Sequence, residues 1–149
     1  MQGYDPKKAA RVWNRVRSTQ PEHQSIDIDP MITAAGVNAA IYLRLSRQEL
    51  SSESAILKKL AEEKLAQASC LKGIRRLTAG RIAGIPLPQP AKEAPFQALR
   101  RCYHSEIHAL RELELRTADR DFGPVYGELA QHQRHLCRIL LELIGRLER

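Results

Sequence analysis

Residues 80–95 read GRIAGIPLPQPAKEAP, with two glycines and four prolines in sixteen residues. Proline lacks a backbone donor and its ring clashes with the preceding helical turn, so no helix runs through this stretch. It divides the chain into two blocks of helix-forming composition, rich in Leu, Ala, Glu, Arg and Lys and sparse in β-branched residues. Antiparallel neighbours in a bundle need only about 2–8 connecting residues. Sixteen are enough to cross from one end of a bundle to the other.

Each block carries its own start, stop and stripe signals. Asp5-Pro6 opens a short N-terminal helix with Ala9, Val12, Trp13 and Val16 on one face, and the polar stretch from Ser18 to Asp27 reads as a loop. Asp29-Pro30 is a second start of the same kind, followed by Ala35, Asn38, Tyr42 and Leu45 at helical spacing. Ser51 to Ser54 breaks that helix. The next stripe is Leu57, Leu60, Lys64, Gln67, Leu71 and Ile74, ended by Thr78-Ala79-Gly80. After Pro95 a third stripe holds Leu99, Cys102, Tyr103, Glu106, Leu110 and Leu113. Asp119 to Pro124 is a turn, and the fourth stripe is Val125, Leu129, His132, Leu136, Leu140, Leu143 and Leu147. Apolar stripes this wide must be buried against one another.

The 149 residues suit one domain large enough to bury a core. Its segments are residues 1–29, an N-terminal helix and loop, and 30–149, a four-helix bundle. Cys70, Cys102 and Cys137 are odd in number and far apart, which argues against a disulfide framework or a zinc knuckle and for buried thiols in a reducing cytoplasm. The polar start MQGYDPKKAARVW is not expected to act as a signal peptide, and no apolar run reaches the roughly 18–20 residues that cross a bilayer. The formal charge of +7 admits nucleic acid as a partner. The densest basic group is Lys72, Arg75, Arg76 and Arg81, facing Arg100 and Arg101 across the connection. Few aromatics accompany it, and a solvated basic face is the plainer reading. No GxSxG, phosphate-binding glycine loop or Cys–His signature supports nucleophilic catalysis.

The two blocks resemble each other. LAEEKLAQASCL (60–71) and LAQHQRHLCRIL (129–140) begin with the same dipeptide and keep similar apolar positions. Duplicated helix pairs joined by a long crossover resemble the ferritin-like superfamily, its rubrerythrin branch in particular. KKLAEEKLAQASCLKGI (58–74) is similar to the second bundle helix of those proteins, where LAEEE is followed after two residues by HA. The resemblance covers about residues 30–147. It implies a di-iron centre in the bundle core, with one Glu from each of two helices and a Glu-x-x-His pair from each of the other two. Two irons bring four or more positive charges into a dry interior, and several carboxylates must neutralise them.

This chain departs from that set. The first-helix Glu falls near Ala35 or Asn38. The second-helix pair reads Lys64 and Gln67, or Glu63 and Ala66 one residue earlier. Glu106 matches the third-helix Glu. In the fourth helix, aligning His135 with the family's His puts His132 at the Glu position, whereas aligning the two Leu-Ala dipeptides gives Gln133 and Leu136.

A six-ligand site thus keeps at best Glu106 and His135, with His132 as an extra. Two readings follow. In one, Glu106 pairs with Lys64 inside a buried polar core of Lys64, Gln67, Asn38, Glu106, Tyr42 and Tyr103 that takes the place of metal. In the other, Glu106, His132 and His135 form a reduced iron or zinc site of the two-His-one-carboxylate kind, with His104 and His108 flanking Glu106. The expectation is an all-α, ferritin-like up-down four-helix bundle, two helix pairs joined by a long crossover, with an extra short N-terminal helix. It is expected to be non-catalytic, to hold no cofactor and to act by self-association or partner binding, a dimer being favoured. A metal or redox protein and a weak nucleic-acid binder are the alternatives.

Overall fold

The structure, a computed structural model, describes residues 27–79 and 93–147. The expected N-terminal helix with Trp13 lies outside the described residues. Four α-helices follow one another: α1 (Asp29–Arg47), α2 (Ser54–Ala79), α3 (Pro95–Leu115) and α4 (Gly123–Leu147). Single 3-10 turns, Ser51–Glu53 and Arg116–Ala118, sit between the members of each pair. Among the described residues there is no strand, and no helix is long and apolar enough to cross a membrane.

The helix boundaries follow local chemistry. The prolines of α1 and α3 occupy the first turn, where their missing N–H costs nothing. At the start of α1 Asp29 does not cap the helix. Ile28 is the N-cap residue, and Asp27 Oδ1 accepts the Asp29 N–H at 3.1 Å. The side chain of Asp29 pairs instead with Arg75 near the end of α2. Between α3 and α4, Asp119 Oδ1 accepts the N–H groups of Asp121 and Phe122, each at 2.8 Å. Gly123 opens α4 where a Cβ would stand 2.6 Å from the carbonyl oxygen of Thr117, so the tight corner requires glycine.

Helix directions emerge from the contacts at the two ends. Leu57, Leu99, Leu140 and Leu143 share one core cluster, while Ile28, Leu71, Leu113 and Tyr126 share the other. Thus α1 and α4 run one way and α2 and α3 the other. Arg146 on α4 reaches Glu53 just before α2 at 3.2 Å, and Arg116 after α3 reaches the carbonyl of Asp27 at 3.4 Å. The up-down alternation holds within each pair and is broken between pairs. In the lateral packing α1 lies against α2 and α3, and α4 against α3 and α2. The end of α2 and the start of α3 therefore lie at opposite ends of the bundle. Sixteen extended residues reach about 50 Å, whereas the 21-residue α3 is only ~32 Å long.

The stripes of α1 and α2 are buried as the sequence predicts, from Ala35, Asn38, Tyr42 and Leu45 to Leu57, Leu60, Lys64, Gln67, Leu71 and Ile74. On α3, Tyr103 and Leu110 are only half-buried, and Ala98 and Ala109 complete the inner face. The first half of α4 is a correction. Tyr126, Ala130 and Gln133 are the buried residues there, Val125 and Leu129 pack half-buried against the same cluster, and His132 is exposed, a rotation of one residue. Leu136, Leu140 and Leu143 are inside as expected, and Leu147 is half-buried. The rotation buries a whole tyrosine ring and turns the imidazoles outward, and the amide it brings inside finds polar partners waiting.

Candidate functional site

Those partners lie between the two core clusters, where all four helices contribute a side chain. Lys64, on α2, is fully buried although it carries an ammonium group, and Glu106 on α3 is 1% exposed. Lys64 Nζ stands 2.8 Å from Glu106 Oε1. The same nitrogen donates to Gln67 Oε1 at 2.6 Å and to Gln133 Oε1 at 3.1 Å. An ammonium has three protons, and this geometry uses all three.

The rest of the cluster closes around that centre. Gln133, on α4 and fully buried, donates through Nε2 to Glu106 Oε1 at 3.1 Å and to the Glu106 backbone carbonyl at 2.8 Å. Gln67 Nε2 donates to Gln133 Oε1 at 3.0 Å. Tyr42, on α1, donates its hydroxyl to Glu106 Oε2 at 2.8 Å. Both carboxylate oxygens are thereby engaged. No polar side-chain atom of these five residues is buried without a partner, which is what makes a buried ion pair tolerable.

The cluster also sets the protonation of its surroundings. Burial, and then the nearby Glu106 charge, hold the Tyr42 phenol well above its usual range. The same two causes push the Cys102 thiol up to about 12 and the Cys137 thiol up to about 11. Burial raises the Tyr126 phenol to about 12, Arg116 opposing it. Each of these groups is neutral when protonated, so the folded state holds its proton more tightly than the unfolded chain. Their contribution is complete below the unfolded values, near pH 8.5–10, and is lost as pH rises through the folded ones. The melting temperature is therefore expected to fall steadily between about pH 9 and pH 12. A melt by circular dichroism that is higher at pH 11 than at pH 8 would contradict this.

The residues singled out in the sequence divide into three groups. Lys64, Gln67, Glu106 and Tyr42 come together. Asn38 is buried but bonds through Nδ2 to Ser105 Oγ at 3.2 Å, apart from the cluster. Tyr103 is half-buried, against the edge of the His104 ring, and contributes nothing to the cluster. His132 and His135 are exposed on α4, so the geometry does not assemble them with the buried Glu106. The reason is the rotation of α4, which gives the inner position to Gln133. His104 and His108 are also exposed. Among the described residues no group of three or more His, Cys, Asp or Glu side chains could hold a metal ion.

Nor does the cluster fit the di-iron centre that the family resemblance implies. It offers one carboxylate, two amides and an ammonium. A divalent ion about 4 Å from that ammonium would be repelled by roughly 8 kcal/mol even at an effective dielectric near 20. Gln133 is the member that stripe reading passed over. The signal for it was the match between the two Leu-Ala dipeptides, which sets Gln133 opposite Lys64. These two residues are 69 positions apart and hydrogen-bond directly to each other. Equivalent positions of the two halves thus meet across the middle of the bundle.

Compared with known proteins, the chain matches no family model, no curated protein and no solved structure.

Proposed function

We propose that this chain is a ferritin-like bundle of the rubrerythrin type in which a Lys–Glu–Gln cluster replaces the di-iron centre, and that it acts without catalysis or cofactor by pairing with a second copy. The observation that carries the reading is the bonding of Lys64 Nζ to Glu106, Gln67 and Gln133. A cation of the protein's own occupies the position that a metal would need. The direction of the helices supports the same reading, since α2 and α3 run in parallel and their facing ends lie at opposite ends of the bundle. Such an arrangement requires the long connection that distinguishes ferritin-like bundles from simple up-down ones.

Association has places to start. Leu65 is 48% exposed and Leu77 is 74% exposed, both on α2. Metal analysis and light scattering on untagged protein test the two halves of the proposal. The expected result is below about 0.1 iron or zinc per chain and a solution mass near twice the 16.9 kDa of one chain. Leu65→Glu with Leu77→Glu is expected to return the mass to that of one chain. Stoichiometric iron would overturn the degenerate centre, and a monomer at tens of micromolar protein would overturn the dimer.

A further inference from the structure

The middle of the second helix pair exposes basic side chains on one side, with the exposed acids Glu114, Glu128 and Glu142 at its ends. Between residues 97 and 111 of α3 the only acid is Glu106, which is buried. Over the same span Arg100, Arg101, His104, His108 and Arg111 are all exposed. At 100° per residue they fall within about 100° of arc, opposite the buried face, over ~16 Å of helix. Residues 129–141 of α4 contain no acid at all. Arg134, His135 and Arg138 share the outward side there, and His132 lies at its edge, all four exposed. The antiparallel neighbours α3 and α4 are bridged on the surface by Arg134 and Glu114 at 2.9 Å, so the two sets adjoin. On α2, Lys58 and Lys59 are followed by Glu62 and Glu63, and the exposed Lys72 and Arg76 stand apart near the end of the helix.

We propose that the outer face of α3 and α4 binds the phosphate backbone of double-stranded nucleic acid, without regard to sequence. The four exposed histidines and their arginine neighbours form this surface. Its site differs from the one expected around the connection, because that basic group is split. Lys72, Arg75 and Arg76 lie toward the end of α2 that meets Asp29, whereas Arg100 and Arg101 lie beside Phe96 and Glu93 at the other end.

Charge complementarity selects the partner. Duplex DNA carries one negative charge per ~1.7 Å of axis, and the arginines and histidines on two helices about 8–10 Å apart present a flat comb of donors to it. The large exposed apolar residues of this pair, Leu115 and Leu141, lie at the ends of the basic stretches. The centre therefore lacks the apolar anchors that a protein interface needs. No exposed aromatic ring lies among the basic residues, so there is no platform for stacking unpaired bases. Arg101 is paired with Glu93 and Arg134 with Glu114. Arg111 and Arg138 make none of the ion pairs among the described residues, although Glu114 and Glu142 lie one turn further along their helices, and the test uses them.

Fluorescence anisotropy with a labelled duplex of about 24 bp, in about 50 mM salt, gives the direct test. The full chain is expected to bind at micromolar Kd, with log K falling against log salt at a slope near −4, as about four or five phosphate contacts would give. Arg111→Glu with Arg138→Glu is expected to weaken binding by at least tenfold, with unchanged helicity and melting. Lys59→Glu with Lys72→Glu removes the same charge from α2 and is expected to cost less than about threefold. Equal losses from the two double variants would mean that net charge alone is at work and would overturn the face. Absence of binding at about 100 μM would overturn the proposal outright, and tighter binding to polyglutamate than to duplex would overturn the choice of partner.

Discussion

Lys64→Ala is expected to lower the unfolding free energy by about 3–5 kcal/mol, since removing one partner leaves the other charge buried and uncompensated. Glu106 would keep only the Tyr42 hydroxyl and the Gln133 amide, and Gln67 Oε1 and Gln133 Oε1 would each lose a donor. A domain of this size holds about 5–15 kcal/mol in total, so the loss removes a large fraction of it. Urea unfolding followed at 222 nm reads the difference as a lower midpoint at constant slope. Lys58→Ala, on the exposed side of the same helix, is the control and is expected to change stability by less than about 0.5 kcal/mol. Equal midpoints for Lys64→Ala and the parent would remove the ion pair from any account of this core.

Replacing the whole cluster with apolar side chains is expected to act in the opposite direction. The variant carries Tyr42→Phe, Lys64→Met, Gln67→Leu, Glu106→Leu and Gln133→Leu, and a gain of about 1–4 kcal/mol is expected. Every member of the cluster is satisfied now, so nothing in the parent is strained. The gain arises because no charge or amide then has to be stripped of water on folding. The same urea midpoint measures it, and a variant less stable than the parent would show that the polar cluster is itself the better core. With Lys64→Ala destabilising and the fivefold variant stabilising, the cluster's contribution is pairing specificity between the two helix hairpins rather than stability.

The helices were legible because their signals are local. Pro30 and Pro95 set two starts, Asp119 closes the turn before α4, and the stripes of α1 and α2 are buried residue for residue. Lys64 and Glu106 could be paired in advance because each interrupts an apolar stripe and neither can be buried alone. The register of early α4 was not legible. Val125, Leu129 and His132 form as regular a stripe as Tyr126, Ala130 and Gln133, and choosing between them requires the partners of Gln133, which lie on α2 and α3. Asn38 shows the same limit: burial was predictable, but its bond to Ser105 depends on the relative height of α1 and α3. The basic surface escaped for a related reason. Arg100 and Arg101 adjoin Lys72 and Arg76 across a loop in the sequence, yet helix direction places the two groups far apart.

The centre of the bundle also bears on how the chain is assembled during synthesis. The hairpin of α1 and α2 is complete, and Lys64 already made, well before the ribosome reaches Glu106. Until then the amine sits on a surface that is otherwise greasy and has only Gln67 on its own helix as company. An early collapse that sealed this surface would have to strip the amine of water with nothing to offset its charge. The amine is therefore expected to stay hydrated until the second hairpin arrives with the acid, so that the late segment licenses closure of the early one.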